Sequence, residues 1–313
     1  MEIIDFNTIS ALGIPPRRCV EWVEYILRHK YDCVLPPKTS LHMEGNVFVN
    51  TMPSYIPMIH RHGVKVVSRY PWRVPALKSE IMLYDSRDGS SLALMDGTWI
   101  TAMRTGAVAA LAVKTLRRKG ASQYAFMGLG NTARATLLCL ATLLSDEDIH
   151  IKLLAHKGQE TLFAERFAAF PRLHFEVCSG QEPLVTDSDV VVSCVTAADS
   201  LIAPDECYKE GVLVVPVHTR GFQNCDLFFD KVFADDTGHV KDFRYFRQFQ
   251  QYDEFARVLL GENPGRESDR ERILAYNIGI SLHDIYFASR VYDLVAGQAL
   301  EVEVENETRK FWL

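Results

Sequence analysis

From residue 124 to residue 135 the chain reads Tyr-Ala-Phe-Met-Gly-Leu-Gly-Asn-Thr-Ala-Arg-Ala, an apolar run entering a Gly-x-Gly-x-x-Ala turn. Leu137, Leu138, Ala141 and Leu144 then recur with helical periodicity, so a strand precedes the turn and a helix follows it. Gly128 can make the sharp turn without a Cβ, and Gly130 lets backbone N–H groups come close to a pyrophosphate. Asn131 and Thr132 open the helix, and the small Ala133 lets it lie close on its strand with its positive dipole end toward the phosphates. The feature predicts a dinucleotide site; a plain Gly-rich strand-to-helix turn has the same local pattern.

The rest of the chain supports that fold class. Strand signals at 123–127, 149–155, 173–178, 189–195, 212–217 and 231–234 alternate with helical stretches, the pattern of a doubly wound parallel sheet. Ahead of them, Arg17–His29 has an amphipathic helix pattern, and strand signals follow at Val47–Asn50, Val64–Ser68 and Glu80–Tyr84. Asp85-Ser-Arg-Asp-Gly89 is a turn by composition, so Ile81–Tyr84 and Leu92–Met95 are expected to pair as a hairpin. A tightly packed helix is expected over Thr98–Leu116, a helical segment over 239–260 broken by Gly261–Gly265, and a long closing helix over Ile273–Val295. Leu300–Val304 alternates like a strand that can pair with the N-terminal region. The expected architecture is a Rossmann-type, doubly wound α/β domain (117–295) inserted into an α+β substrate-binding and dimerisation domain (1–116 plus 296–313).

Composition narrows the partners. A formal net charge of −6 with no basic stripe argues against nucleic acid. No apolar run reaches membrane-spanning length, and the start lacks a signal-peptide pattern. The seven cysteines are scattered without Cys-x-x-Cys or zinc-type spacing, so reduced thiols, a cytoplasmic location and no metal site are expected.

Two basic residues stand out before any family is considered. Arg104 lies in an otherwise small, apolar helix, where a guanidinium needs a bound anion or an internal carboxylate. Lys65 is flanked by Val64, Val66 and Val67; a lysine in such a strand can equally face solvent.

Several segments then occur in a telling order: Pro36-Pro37-Lys38, Asn50-Thr51-Met52-Pro53, Gly63-Val64-Lys65-Val66-Val67-Ser68, Asp96-Gly97 and Thr101-Ala-Met-Arg104-Thr-Gly-Ala. After the glycine turn come Gly261-Glu-Asn-Pro-Gly265-Arg266-Glu-Ser268-Asp269 and Asn277-Ile-Gly279-Ile-Ser-Leu-His-Asp284. Over nearly its whole length the chain resembles the ornithine cyclodeaminase/mu-crystallin family. The resemblance implies that Lys38, Lys65 and Arg104 hold the carboxylate of a small amino, imino or keto acid. Charge-assisted hydrogen bonds suit that task, although Lys38 stands where the family commonly has the bidentate Arg. It also implies a homodimer, Thr196 along the dinucleotide, and Asn277 and Gly279 toward the nicotinamide.

The departures from the family are as informative. His218 and Asn50 stand where cyclodeaminases carry acidic residues that handle the substrate amine. A cationic diamino acid therefore fits poorly, and the balance moves toward hydride transfer, as in the mu-crystallin branch. His218 can protonate an imine nitrogen near neutrality or merely hydrogen-bond the backbone after its strand. Arg220 adds a cation nearby that can recognise a second carboxylate or face solvent. The second strand of the nucleotide domain ends in Ala155-His156-Lys157-Gly158, with cations instead of an acidic residue at its tip. That favours NADP(H) over NAD(H), with Lys157 as an ordinary loop lysine the alternative. The expected activity is an NAD(P)-dependent imino- or amino-acid oxidoreductase; a cyclodeaminase-type lyase and a non-catalytic dinucleotide-binding protein are the alternatives.

Overall fold

A computed structural model of the chain describes residues 1–195, 201–217, 226–295, 297–304, 307, 309 and 310. They divide into two compact units. The first comprises Met1–Ile14, Asp32–Thr101 and the chain from Asp284 onward; the second comprises Pro15–Tyr31 and Ala102–His283.

The first unit is built on a mixed sheet. Its strands are β1 (Glu2–Ile4), β2 (Thr39–Met43), β3 (Val47–Ile56), β4 (Arg61–Arg69), β5 (Leu77–Asp85) and β6 (Ser91–Asp96). β2 through β6 form an antiparallel meander, and β1 joins β6 in parallel. The expected hairpin is the β5–β6 pair. The tail also pairs as expected, Leu300–Glu301 running antiparallel to β1. Burial alternates along β4 and β5, as in a sheet with one covered face.

The second unit carries an eight-stranded sheet, all parallel. Its strands are β7 (Gln123–Met127), β8 (Ile149–Leu154), β9 (Leu173–Cys178), β10 (Val190–Ser193), β11 (Leu213–Pro216), β12 (Lys231–Ala234), β13 (Asp253–Glu254) and β14 (Ile273–Tyr276). They lie in the order β13-β12-β14-β11-β10-β7-β8-β9. The chain runs outward from β7 through β8 and β9, then returns to β10 on the other side of β7. The order therefore reverses between β7 and β10, the switch point where doubly wound sheets bind ligands. Every residue of β10, β11, β12 and β14 is buried, and side chains such as Val191 and Val214 each contribute ~1.5–3 kcal/mol by leaving water.

Two expectations are corrected. Ile273–Val295 is not one helix: Ile273–Tyr276 is an interior strand, and the helix begins only at Ser281. A strand covered on both faces reads as an unbroken apolar run, which periodicity alone cannot tell from a buried helix. The 239–260 segment is likewise broken. A short helix at Thr237–Val240, a turn at Phe246–Gln248 and β13 precede the one well-formed piece, Phe255–Leu260, which ends at Gly261 with φ 78°. The three-residue spacing of Phe243, Phe246, Phe249 and Tyr252 imitates a helical face. Those rings instead pack on one another, with Phe243 and Phe249 against Tyr276.

The glycine-rich Gly261–Asp269 stretch is held structurally. Buried Lys231 donates to Gly265 O and pairs with Glu267 and Glu271, while Arg266 hydrogen-bonds the carbonyls of Leu116 and Glu271. No described helix is long and apolar enough to cross a membrane.

Candidate active site

The glycine turn stands at the switch point. Gly128 follows β7 with φ 78°, and a Cβ there would lie 2.6 Å from the backbone N of Val195, just past β10. Position 128 therefore demands glycine for its conformation and for its space. Gly130 is exposed, and a Cβ there would meet nothing within 4 Å among the described residues. It precedes the Asn131–Leu143 helix, whose N-terminus has no side-chain cap. An uncapped first helical turn leaves N–H groups for a pyrophosphate to accept from, so the residues present fit a dinucleotide. Asn131 is exposed, Thr132 half-buried and Ala133 buried against the sheet. A further glycine serves this helix: a Cβ on Gly106 would lie 2.6 Å from the backbone N of Thr136. The apolar helix ending at Leu116 can thus press directly onto the turn of the fingerprint helix.

At the tip of β8, hydrogen-bonded beside β7, His156 and Lys157 are exposed and Lys157 is left-handed with φ 54°. Glu160 folds back so that its carboxylate accepts the His156 N–H at 3.0 Å, and that bond lowers its pKa. One oxygen of the Glu160 carboxylate is therefore taken up by the protein's own backbone.

Arg104 and Gly279 meet within the same unit. Arg104 is 4% exposed, and a Cβ on Gly279 would lie 2.9 Å from its Cζ and Nη2, so the guanidinium lies directly on the glycine. Gly279 has φ 93° and donates its N–H to Asp235 Oδ2 at 2.6 Å. Asn277 is buried, its N–H on Pro216 O at 2.9 Å and its Nδ2 on Ala275 O at 3.1 Å, which fixes the chain leaving β14.

In the first unit, Lys65 points to the covered face of its sheet. It is 1% exposed, and its Nζ lies 2.6 Å from Asp284 Oδ2, itself fully buried. The solvent-facing alternative for Lys65 is excluded. Gly63 makes this pairing possible: a Cβ there would lie 2.8 Å from Ile285 Cδ1 and 2.6 Å from Met82 O. The helix carrying Asp284 can therefore rest on β4 two residues from Lys65. Met52 pairs with Lys65 and Asn50 with Val67, which puts half-buried Asn50 on the same face as Lys65. Lys38 is half-buried and immediately precedes β2.

Thr196, His218 and Arg220 lie outside the described residues. Sequence reasoning missed Asp284 and Asp235. Asp284 was visible only as the last letter of the Asn277–Asp284 run. Asp235 offered as a signal only an acidic residue directly after a buried strand, at the sheet edge where ligands sit. Beside it, buried Lys30 donates to Asp235 O and Glu254 and pairs with Asp236, which also binds His239 Nδ1 at 3.0 Å.

Similarity to known proteins fits these observations. Residues 17–299 match the profile of the ornithine cyclodeaminase/mu-crystallin family. The chain is 26% identical over 300 residues to the nodulation efficiency protein NfeD of Rhizobium meliloti, covering 91% of this chain and 92% of that one. It is 27% identical over 281 residues to Δ1-pyrroline-2-carboxylate reductase of Bacillus cereus, covering 82% and 83%. Its fold matches that of Thermococcus litoralis Δ1-pyrroline-2-carboxylate reductase in complex with NADH and L-proline. The TM-score is 0.84 at 24% identity, over 96% of this chain and 100% of that one.

Proposed function

The chain belongs to the ornithine cyclodeaminase/mu-crystallin family, and from that premise we propose that it is an NAD(P)-dependent oxidoreductase that reduces an α-imino acid to the α-amino acid. The observation that carries this reading is the glycine turn at the switch point, with Gly128 pressed on the chain leaving β10 and no described atom within 4 Å of a Cβ on Gly130. The cyclodeaminase alternative is not favoured: the relatives above whose names state an activity are reductases.

In this reading Gly128, Gly130, Asn131, Thr132 and Ala133 receive the pyrophosphate, Thr196 lies along the dinucleotide, and Asn277 and Gly279 face the nicotinamide end. Exposed His156 and Lys157 take a 2′-phosphate, so NADP(H) is preferred. The engagement of Glu160 Oε2 by the His156 N–H supports that preference, because it turns part of the carboxylate's acceptor capacity toward the backbone and away from a ribose hydroxyl. Bound there, the cofactor supplies a hydride. Lys38, Lys65 and Arg104 hold and orient the substrate carboxylate, so that alignment lowers the barrier. Asn50 contacts the substrate from the face it shares with Lys65, Arg220 recognises a second polar group, and His218 delivers the proton to the imine nitrogen.

A cytoplasmic homodimer completes the proposal. The dimer is supported by exposed apolar side chains on the first unit, among them Leu41 on the edge strand β2, 62% exposed, and Trp72, 70% exposed. The test is steady-state oxidation of NADPH and NADH with cyclic and linear imino acids. Arg104→Ala should raise KM for the imino acid at least about tenfold, and an unchanged KM would refute the assignment.

A further inference from the structure

Asp235 is a buried carboxylate that the proposed chemistry leaves unused. It directly follows β12, is fully buried, and its Oδ1 has no hydrogen-bond partner among the described residues. Burial raises its pKa. The backbone on both sides of it is anchored: its N–H donates to Tyr276 O at 3.0 Å, and its carbonyl accepts from Lys30 Nζ at 2.8 Å. Its Oδ2 makes one short bond, 2.6 Å, to the Gly279 N–H. Gly279 is the residue on which the Arg104 guanidinium lies, in a left-handed conformation and too close to accept a side chain.

A buried polar group is costly unless it is hydrogen-bonded, and the hydrogen bond that Asp235 Oδ2 accepts comes from the Gly279 N–H. Here the bond fixes one peptide, and that peptide is the floor under Arg104. We propose that Asp235 is a positioning residue for substrate: its carboxylate locks the Gly279 peptide, and the locked glycine sets the plane and height of the Arg104 guanidinium. The inference rests on the reading that Arg104 holds the substrate carboxylate. Only a small error is tolerated in such a bidentate clamp, because both hydrogen bonds depend on the plane of the fork.

The consequence is coupling between two residues, one of which need not touch substrate. Asp235→Ala removes the acceptor and should raise KM for the imino acid about tenfold. Asp235→Asn still presents an oxygen to the Gly279 N–H and should stay within about twofold of the wild-type KM. In an Arg104→Ala background, adding Asp235→Ala should change KM by less than about twofold, since the residue through which it acts is gone. Asp235→Ser, too short to reach Gly279, replaces the alanine variant if that chain does not fold.

Equal effects of Asp235→Ala with and without Arg104 would overturn the inference and leave the function standing. So would an Asp235→Asn enzyme as impaired as Asp235→Ala. An Arg104→Ala enzyme with wild-type KM would overturn the underlying reading and the inference with it.

Discussion

Replacing Asp284 by Asn tests the reading of the first unit. Lys65 and Asp284 are 1% and 0% exposed with 2.6 Å between Nζ and Oδ2. At an effective dielectric near 20, two unit charges at that separation attract by ~6 kcal/mol. Taking each ion out of water costs several kcal/mol, so the intact pair adds little net stability. Removing one charge is different, because the burial cost of the other remains without its offset, ~3–5 kcal/mol. Asn has the shape of Asp, so no cavity contributes. At ~2–4 °C per kcal/mol, Asp284→Asn should lower the calorimetric melting temperature by ~6–20 °C. The double variant Lys65→Met/Asp284→Asn should recover most of that loss, because no buried charge is left. A single variant that melts within ~2 °C of wild type would refute the reasoning, showing the lysine to be solvated in solution.

Three further outcomes follow from particular residues. Gly128→Ala should weaken NADPH binding at least about tenfold in a fluorescence titration, since its Cβ meets the backbone at Val195 and its φ is 78°; retained affinity would contradict the switch-point geometry. Gly106→Ala sets helix propensity, which favours Ala by ~1 kcal/mol, against a Cβ placed 2.6 Å from Thr136 N. Overpacking should win with a net loss of ~1–2 kcal/mol by urea denaturation. For Asp236, burial opposes ionisation, but the His239 hydrogen bond and the Lys30 charge outweigh it and hold the carboxyl down to about 2, below its ordinary 3.8. The sign follows: this group's stabilisation, ~2 kcal/mol, is complete above pH 3.8 and is lost as pH falls through about 2. The stability difference between wild type and Asp236→Asn should therefore shrink over that acid window.

The glycine turn, its strand and its helix were legible because the constraint is local: a left-handed glycine, a Cβ-free approach and a small residue on the helix must occur in sequence. Strand signals and the Asp85–Gly89 turn made β3 to β6 and the β5–β6 hairpin legible, whereas the edge strand β2, exposed throughout, was not. The interior strand Ile273–Tyr276 was not, because two covered faces erase alternation. The aromatic run at 243–252 misled because side chains gathered onto Tyr276 by successive turns share the spacing of a helix. Lys65 showed its residue type in the sequence but not its orientation, which the pairing of β3, β4 and β5 decides. Its partner Asp284 lies more than two hundred residues away. Gly63 and Gly106 read as ordinary glycines until a helix is found lying on each, and Gly279, expected toward the nicotinamide, gives no sign in the sequence of the guanidinium that lies on it. A contact made through the missing side chain leaves no trace in composition.

The central claim is that this site passes a hydride to the Cα of an imino acid. The direct measurement uses NADPH deuterated at the transferable C4 position, with Δ1-pyrroline-2-carboxylate as substrate and mass spectrometry of the proline formed. The account predicts proline about one mass unit heavier, with one deuterium at Cα and one equivalent of oxidised cofactor per product. Unlabelled product, or ammonia released from ornithine with no net change in the nicotinamide, would contradict it.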